Sequence, residues 1–215
     1  MKTNTKYVLA SLAAAAAVAG CAGVGSKTDL DAEFAAMMKS SFRDQGIAHV
    51  DRLQQDLGQA ACSSPNPPPA DVAKRIESEA LASIKWPAGG QYFGDWKVGE
   101  KLAQSGRGMT WTDKSAATSG NGGQCYNCHQ IDKKEISFGT IGPSLYNYGK
   151  IRGVKDIAAP ESAAVVQYTW GKLWNSKAYS ACSNMPRFGH AKLLDEQQIR
   201  DLMALLLDPK SPVNQ

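Results

Sequence analysis

Histidine is scarce in this 215-residue chain, which holds three, and cysteine is nearly as sparse at five. A short pattern that combines both residue types is therefore informative, because chance would rarely assemble one. A bilayer-spanning run is lacking: the alanine-rich apolar stretch from Val8 to Gly20 falls short of the ~20 residues that a spanning helix needs. Charge of one sign is lacking too. Lys and Arg total 24 against 20 Asp and Glu, a formal net charge of +4, which is not the concentrated basic patch with which a protein engages nucleic acid. Internal repeats and low-complexity tracts are absent beyond the alanine run, and between Asp95 and Pro209 there is little of the alternating pattern that marks strands. With 43% hydrophobic and 20% charged residues, the chain otherwise has the composition of a soluble protein, with room for one domain and a large appendage or for two small domains.

Lys2 and Lys6 precede the alanine-rich run, so residues 1–20 read as a signal peptide and the mature protein as exported. Val18-Ala19-Gly20-Cys21 has the form of a bacterial lipobox, whose cysteine is acylated and becomes the new N-terminus; cleavage after Ala19 is the competing reading. Cysteine parity favours the lipobox. With Cys125 and Cys128 committed to the motif described next, Cys21, Cys62 and Cys182 remain. A Cys62–Cys182 pair would leave Cys21 for lipid and no orphan thiol in an oxidising compartment. One acylated cysteine tethers a soluble protein and does not make it span the membrane. The expected location is the periplasm, with a tether at Cys21.

Cys125-Tyr126-Asn127-Cys128-His129 is a CxxCH pentapeptide. Two cysteines three apart can reach the two vinyl groups of one porphyrin edge, and the next residue then lies under the iron, so the motif is the attachment signature of c-type haem with His129 as proximal ligand. A zinc half-site would need two more Cys or His ligands, and a thioredoxin-like CxxC should sit between a strand and a helix; neither context is present. The expected cofactor is one covalent haem c.

The remaining chain reads as mainly α. Thr28 or Asp29 can cap a helix that carries Leu30, Phe34, Met37 and Met38, with Gly46 as its stop; a second follows through Val50, Leu53 and Leu57. His49, near the start of the second, has no evident partner and reads as an exposed polar residue. Ser63 to Pro69, with four prolines, is a stiff connector. A third helix, from about Ala70 to Lys85, has Val72, Ile76, Ala80, Leu81 and Ile84 on one face, and Trp86-Pro87 stops it. These elements make residues 21–94 a helical extension with a Pro-rich connector. The haem domain is residues 95–215. It opens with a short helix from Lys97 to Ser105, with Val98 and Leu102 inward and Gly99 open to a close crossing. It closes with a helix from Leu194 to Leu207, with Asp195 in its first turn.

Methionines Met37, Met38 and Met203 suit apolar helix faces, which leaves Met109, Met185 and His190 as candidates for the second axial ligand. Tyr146, Tyr148, Trp170, Trp174 and Phe188 could wall a haem, although Trp170 and Trp174 on a helix opened by Pro160 and Glu161 equally suit core packing. Between Cys125 and Lys192, nine basic residues face four acids, either a solvated surface or a means of steering an acidic redox partner.

An opening helix, CxxCH and a closing helix resemble a class I cytochrome c domain. That resemblance implies a distal methionine from a non-helical loop, here Met185 in Asn184-Met185-Pro186. It also implies that Ile141-Gly142-Pro143-Ser144-Leu145 is the loop whose proline carbonyl accepts from the proximal histidine, making Pro143 the supporting residue. The strings GPSLYNYGKIRG (Gly142 to Gly153) and YSACSNMPRFGH (Tyr179 to His190) further resemble the SoxX family, small cytochrome subunits of SoxAX complexes in bacterial sulfur oxidation. The resemblance covers Asp95 to Pro209. It implies an electron-relay subunit of a cysteine S-thiosulfotransferase. A SoxA-like partner would hold the catalytic haem, and SoxY and a downstream cytochrome c would be transient partners. The 21–94 extension and the lipobox are not part of that pattern. A freestanding periplasmic electron carrier, and a haem ligand sensor with an open distal face, are the other readings.

Overall fold

The structure, a computed structural model, describes residues 29–215. The segment expected to be a signal peptide, residues 1–20, and the expected lipid site Cys21 lie outside the described residues. The chain divides into two compact units, Met1–Arg43 and Asp44–Gln215. The described part of the first is helix α1, Leu30–Ser41. The Asp29 carboxylate caps it by accepting from the Ala32 N–H at 3.1 Å. Extended backbone at Phe42 ends it, four residues before the expected stop at Gly46.

The second unit contains α2 (Leu57–Cys62), α3 (Ala70–Ala82), α4 (Trp96–Gln104), α5 (Tyr148–Ile151), α6 (Ala163–Trp174) and α7 (Glu196–Leu207), joined by loops and 3-10 turns. Among the described residues there is no strand, only an isolated antiparallel bridge between Gln45 and Ala48. The mainly α class is thus the observed one. The helix expected through Val50, Leu53 and Leu57 is two pieces, a 3-10 turn over Val50–Leu53 and then α2. The break follows from Asp56, whose side chain accepts from the Gln59 N–H at 2.7 Å while Gln59 reaches back to the Asp56 N–H. This capping box starts a new helix at Leu57.

The centre of the unit is the crossing of α4 and α7. A Cβ on Gly99 would lie 2.2 Å from the carbonyl oxygen of Asp201, so only glycine allows the backbones this close. Leu102 and Ala103, three and four residues on, share the buried face of Gly99. Val98, expected to point inward, is 47% exposed. With Gly99 at the contact, its neighbour is turned about 100° away from it. Asp195 and Gln198 form a second capping box at the start of α7. From Leu202 to Leu207 every residue of α7 is buried, and each fully buried leucine there contributes about 2 kcal/mol. Asn214 closes its end by donating to the carbonyls of Leu206 at 3.1 Å and Asp208 at 2.9 Å.

Residues ahead of the haem motif pack into the same unit. Trp170 is fully buried, stacks on Trp174 with ring centroids 6.0 Å apart, and donates its Nε1–H to the Lys85 carbonyl at 2.9 Å. Ile76, Ala80 and Ile84 are buried, whereas Leu81, expected on the same face, is 48% exposed. The helix ends at Ala82, so Ile84 reaches the core from irregular backbone and not along the helical stripe. A disulfide joins Cys62 at the end of α2 to Cys182, with Cα atoms 5.4 Å apart, as parity suggested.

Candidate haem site

Cys125–Asn127 forms a single 3-10 turn, and the N–H groups of Cys128 and His129 both donate to the Cys125 carbonyl, at 3.1 and 2.9 Å. The turn brings Cys125, Cys128 and His129 together in the lining of a cavity of about 450 Å³. Its approach is fixed by the end of α4, because the Gly123 N–H donates to the Leu102 carbonyl at 2.8 Å and the Gln124 N–H to the Ser105 carbonyl at 3.0 Å. The opening helix thus aims the motif, while the crossing with α7 supplies the apolar floor: Leu202, Leu205 and Leu206 line the cavity.

The loop after the motif folds back over it. The Gly142 N–H donates to the Cys128 carbonyl at 2.8 Å and the Leu145 N–H to the Gln130 carbonyl at 2.7 Å. This closure carries Pro143 to His129, whose Nδ1 lies 2.7 Å from the Pro143 carbonyl oxygen. A carbonyl only accepts, so Nδ1 carries the proton and Nε2 keeps its lone pair for a metal. A Cβ at Gly142 would fall 2.1 Å from His129 Cε1, so the loop can pass here only with hydrogen in that place.

Met185 lines the same cavity as Cys125, Cys128, His129 and Pro143. Its backbone is pinned, since the Ser176 Oγ–H donates to the Met185 carbonyl at 2.6 Å and the Met185 N–H donates to Ser183 Oγ at 3.3 Å. The other two candidates for the second ligand do not line the cavity. The Met109 carbonyl instead accepts from Arg52 at 2.8 Å, and the His190 N–H donates to the Trp174 carbonyl at 3.0 Å. Met203 is fully buried in the α7 core. His49 pairs with Asp44 at 3.3 Å, with both side chains mostly exposed.

Of the expected aromatic walls, Tyr148 and Phe188 line the cavity; Tyr146, Trp170 and Trp174 do not. The two tryptophans belong to the core between α6 and Lys85, which was the packing alternative for their spacing. Residues missed in the sequence include Tyr168, Thr169, Lys172 and Arg152 of the cavity wall. Arg152 lies with its guanidinium carbon 4.4 Å from the centre of the Tyr148 ring, and the Tyr148 hydroxyl is 2.9 Å from Thr169 Oγ1. The helical spacing of Tyr168 and Lys172 was a signal that could have placed them on one face.

A cavity lined mainly by apolar side chains, with two cysteines on one turn, a histidine whose free nitrogen is Nε2, and a methionine among its lining residues, fits a haem with its edge at the cysteines. Burial pushes the Cys125 thiol up to about 12, so before attachment it is neutral. When bound, haem would supply a one-electron iron couple; Cys125, Cys128 and His129 would hold it, and the Pro143 carbonyl would orient the histidine.

The cytochrome c family model matches residues 115–209. A protein of Aquifex aeolicus (strain VF5), described as an uncharacterized lipoprotein, is 38% identical over 165 residues, which span 74% of this chain and 73% of that relative. With the CxxCH turn, its helical frame and these matches together, the chain carries a cytochrome c domain, which makes it an electron-transfer protein with covalently bound haem c.

Proposed function

We propose that one haem is held through Cys125 and Cys128, with His129 and Met185 as axial ligands and the Pro143 carbonyl fixing the His129 ring. The observation that carries this reading is that His129 and Met185 line one cavity which neither Met109 nor His190 reaches. A His/Met pair raises the reduction potential relative to bis-histidine and leaves no open axial position, so the site relays electrons and does not bind substrate at the metal. In the oxidised holoprotein a methionine-to-iron charge-transfer band is expected. Its survival in Met185→Ala would refute the assignment.

On this reading the protein is a SoxX-like relay subunit of a periplasmic SoxAX complex that couples thiosulfate oxidatively to a carrier cysteine. A SoxA-like partner holds the catalytic haem, and SoxY and a downstream cytochrome c dock transiently. The strings from Gly142 to Gly153 and from Tyr179 to His190 support the assignment. The lipobox at Cys21, together with the lipoprotein description of the Aquifex relative, supports a lipid tether. The expected result is co-purification with a haem-bearing partner and thiosulfate-dependent reduction when SoxA and SoxY are supplied. Isolation only as a monomer, without that reduction, would favour a freestanding carrier.

A further inference from the structure

A second cavity, of about 420 Å³, adjoins the first, and the segment Ser183 to Pro186 lines both. Its other walls are polar and include the Cys62–Cys182 disulfide, Lys177, Arg187 and Gln59. The two sulfurs are in unlike surroundings. Cys182 is exposed, whereas Cys62 is half-buried with the Lys177 Nζ 3.9 Å from its sulfur. Lys177 is only 7% exposed, and its Nζ donates to the Ala181 carbonyl at 3.1 Å, which fixes the ammonium beside Cys62. Arg187, the other cation of the cavity, is already paired with Asp56 at 2.7 Å. Lys177 has no carboxylate within ion-pair distance among the described residues.

We propose that the Cys62–Cys182 disulfide is a thiolate-reactive site, attacked at the sulfur of Cys182, the more exposed residue of the pair, with Cys62 departing toward Lys177, and that its opening releases the Met185 loop. In the first step a small thiolate forms a bond to Cys182 Sγ, the S–S bond breaks, and Cys62 leaves with the electron pair as a thiolate. A second thiolate attacks the outer sulfur of the mixed disulfide and releases Cys182 as a thiolate. Two small thiols have then become one small disulfide, and the protein disulfide has taken up two electrons as two thiols. Exchange is faster when the departing sulfur is a more stable thiolate, and a neighbouring ammonium provides that stabilisation. Burial draws the Lys177 pKa down while Asp56 opposes it, so Lys177 can also return a proton to Cys62. The negative charge of the attacking thiolate suits the same cation.

Opening the disulfide matters at the neighbouring cavity because Cys182 lies three residues before Met185. The loop has other ties, the Ala181 N–H to Glu77 Oε1 at 3.0 Å and the Ser176 hydroxyl to Met185, yet the disulfide is its covalent one. The link to the iron rests on the His129–Met185 reading above.

The full-length haem-loaded protein would be equilibrated in glutathione buffers of graded poise, its iron reduced with ascorbate and exposed to carbon monoxide, and its thiols trapped with N-ethylmaleimide and located by mass spectrometry. Cys62 and Cys182 should become alkylated together over one range of poise. In rapidly quenched samples the first glutathione adduct should be on Cys182, and carbon monoxide uptake should rise with the same midpoint. Lys177→Met should slow exchange about five-fold, with Lys177→Arg restoring it. A disulfide that resists the most reducing buffer, a first adduct on Cys62, equal exchange rates in all three proteins, or thiols that open with no change in carbon monoxide uptake would each overturn the proposal. Ready uptake with the disulfide intact would instead overturn the axial reading, and with it the link to the iron.

Discussion

The Nδ1–H of His129 donates to the carbonyl oxygen of Pro143 at 2.7 Å, and the loop that delivers this carbonyl passes so near the ring that Gly142 has no room for a Cβ. A backbone acceptor cannot be removed by changing the Pro143 side chain, so Gly142 is the position through which the pair can be tested. In Gly142→Ala the new methyl group, 2.1 Å from His129 Cε1, must move the imidazole or the loop. The expected cost is about 2 kcal/mol, read as a lower urea midpoint of the holoprotein with an unchanged slope. The reduction potential should shift as well, because the hydrogen bond that sets the basicity of the imidazole is lengthened. An unchanged midpoint and potential would mean that the loop yields without disturbing His129.

Met109→Leu and His190→Gln separate the candidates for the second axial ligand. Neither residue lines the cavity, so both variants should keep the charge-transfer band and its intensity. Met109→Leu retains the backbone carbonyl that accepts from Arg52, and His190→Gln retains the N–H that donates to Trp174, so neither should unfold the protein. Loss of the band in either variant, with the fold intact by circular dichroism, would move the assignment away from Met185.

What could be read in the sequence, and what could not, divides along physical lines. CxxCH was legible because its chemistry is local: five consecutive residues carry the attachment and one ligand. The glycine crossing was legible for the same reason, since Gly99 stands out in a helix that otherwise has good formers. Val98 and Leu81 were misplaced because periodicity gives a stripe but not its centre, and the centre is set by the partner helix or by where the helix ends. Tyr168 and Lys172 were missed as cavity wall because their role depends on how α6 is rotated, which Trp170 and its bond to the Lys85 carbonyl decide from 85 residues away. The Cys62–Cys182 pair lay between these cases: parity named the partners, but only the fold shows Lys177 beside one sulfur and the Met185 loop beside the other.

Gly99→Ala tests the helical frame that aims the motif. Its Cβ would meet the Asp201 carbonyl at 2.2 Å and the Leu205 Cβ at 3.1 Å, so α4 and α7 must separate or slide. Ala would stabilise an isolated helix by about 1 kcal/mol relative to Gly, so a net loss reports the crossing itself. The expected balance is a destabilisation of about 2 kcal/mol, with a lower yield of haem-loaded protein because the Leu102 and Ser105 carbonyls that hold Gly123 and Gln124 are at the end of α4. Thermal unfolding followed at the Soret band would show it, and a melting temperature at or above that of the parent would contradict the close contact.

Asp56 couples two features beside the distal loop, capping α2 and pairing with Arg187 at 2.7 Å. Burial pushes its carboxyl up, but the Gln59 N–H and the Arg187 guanidinium outweigh that, and its pKa lies below the ordinary 3.8. A carboxyl depressed in the folded state stabilises the protein above its unfolded value and stops doing so as pH falls through the folded one. Asn caps a helix about as well as Asp, so Asp56→Asn removes the charge pair and keeps most of the cap. The Asp56 side chain is 43% exposed, so solvent screening limits the pair to about 0.5 kcal/mol. Urea titrations should therefore show the parent more stable than Asp56→Asn by about that amount at pH 7 and at pH 5. The gap should close as the pH drops below 3.8, and added salt should narrow it at pH 7 without closing it. A gap that did not narrow as the pH fell below 3.8 would assign the effect to the cap and not to the charge.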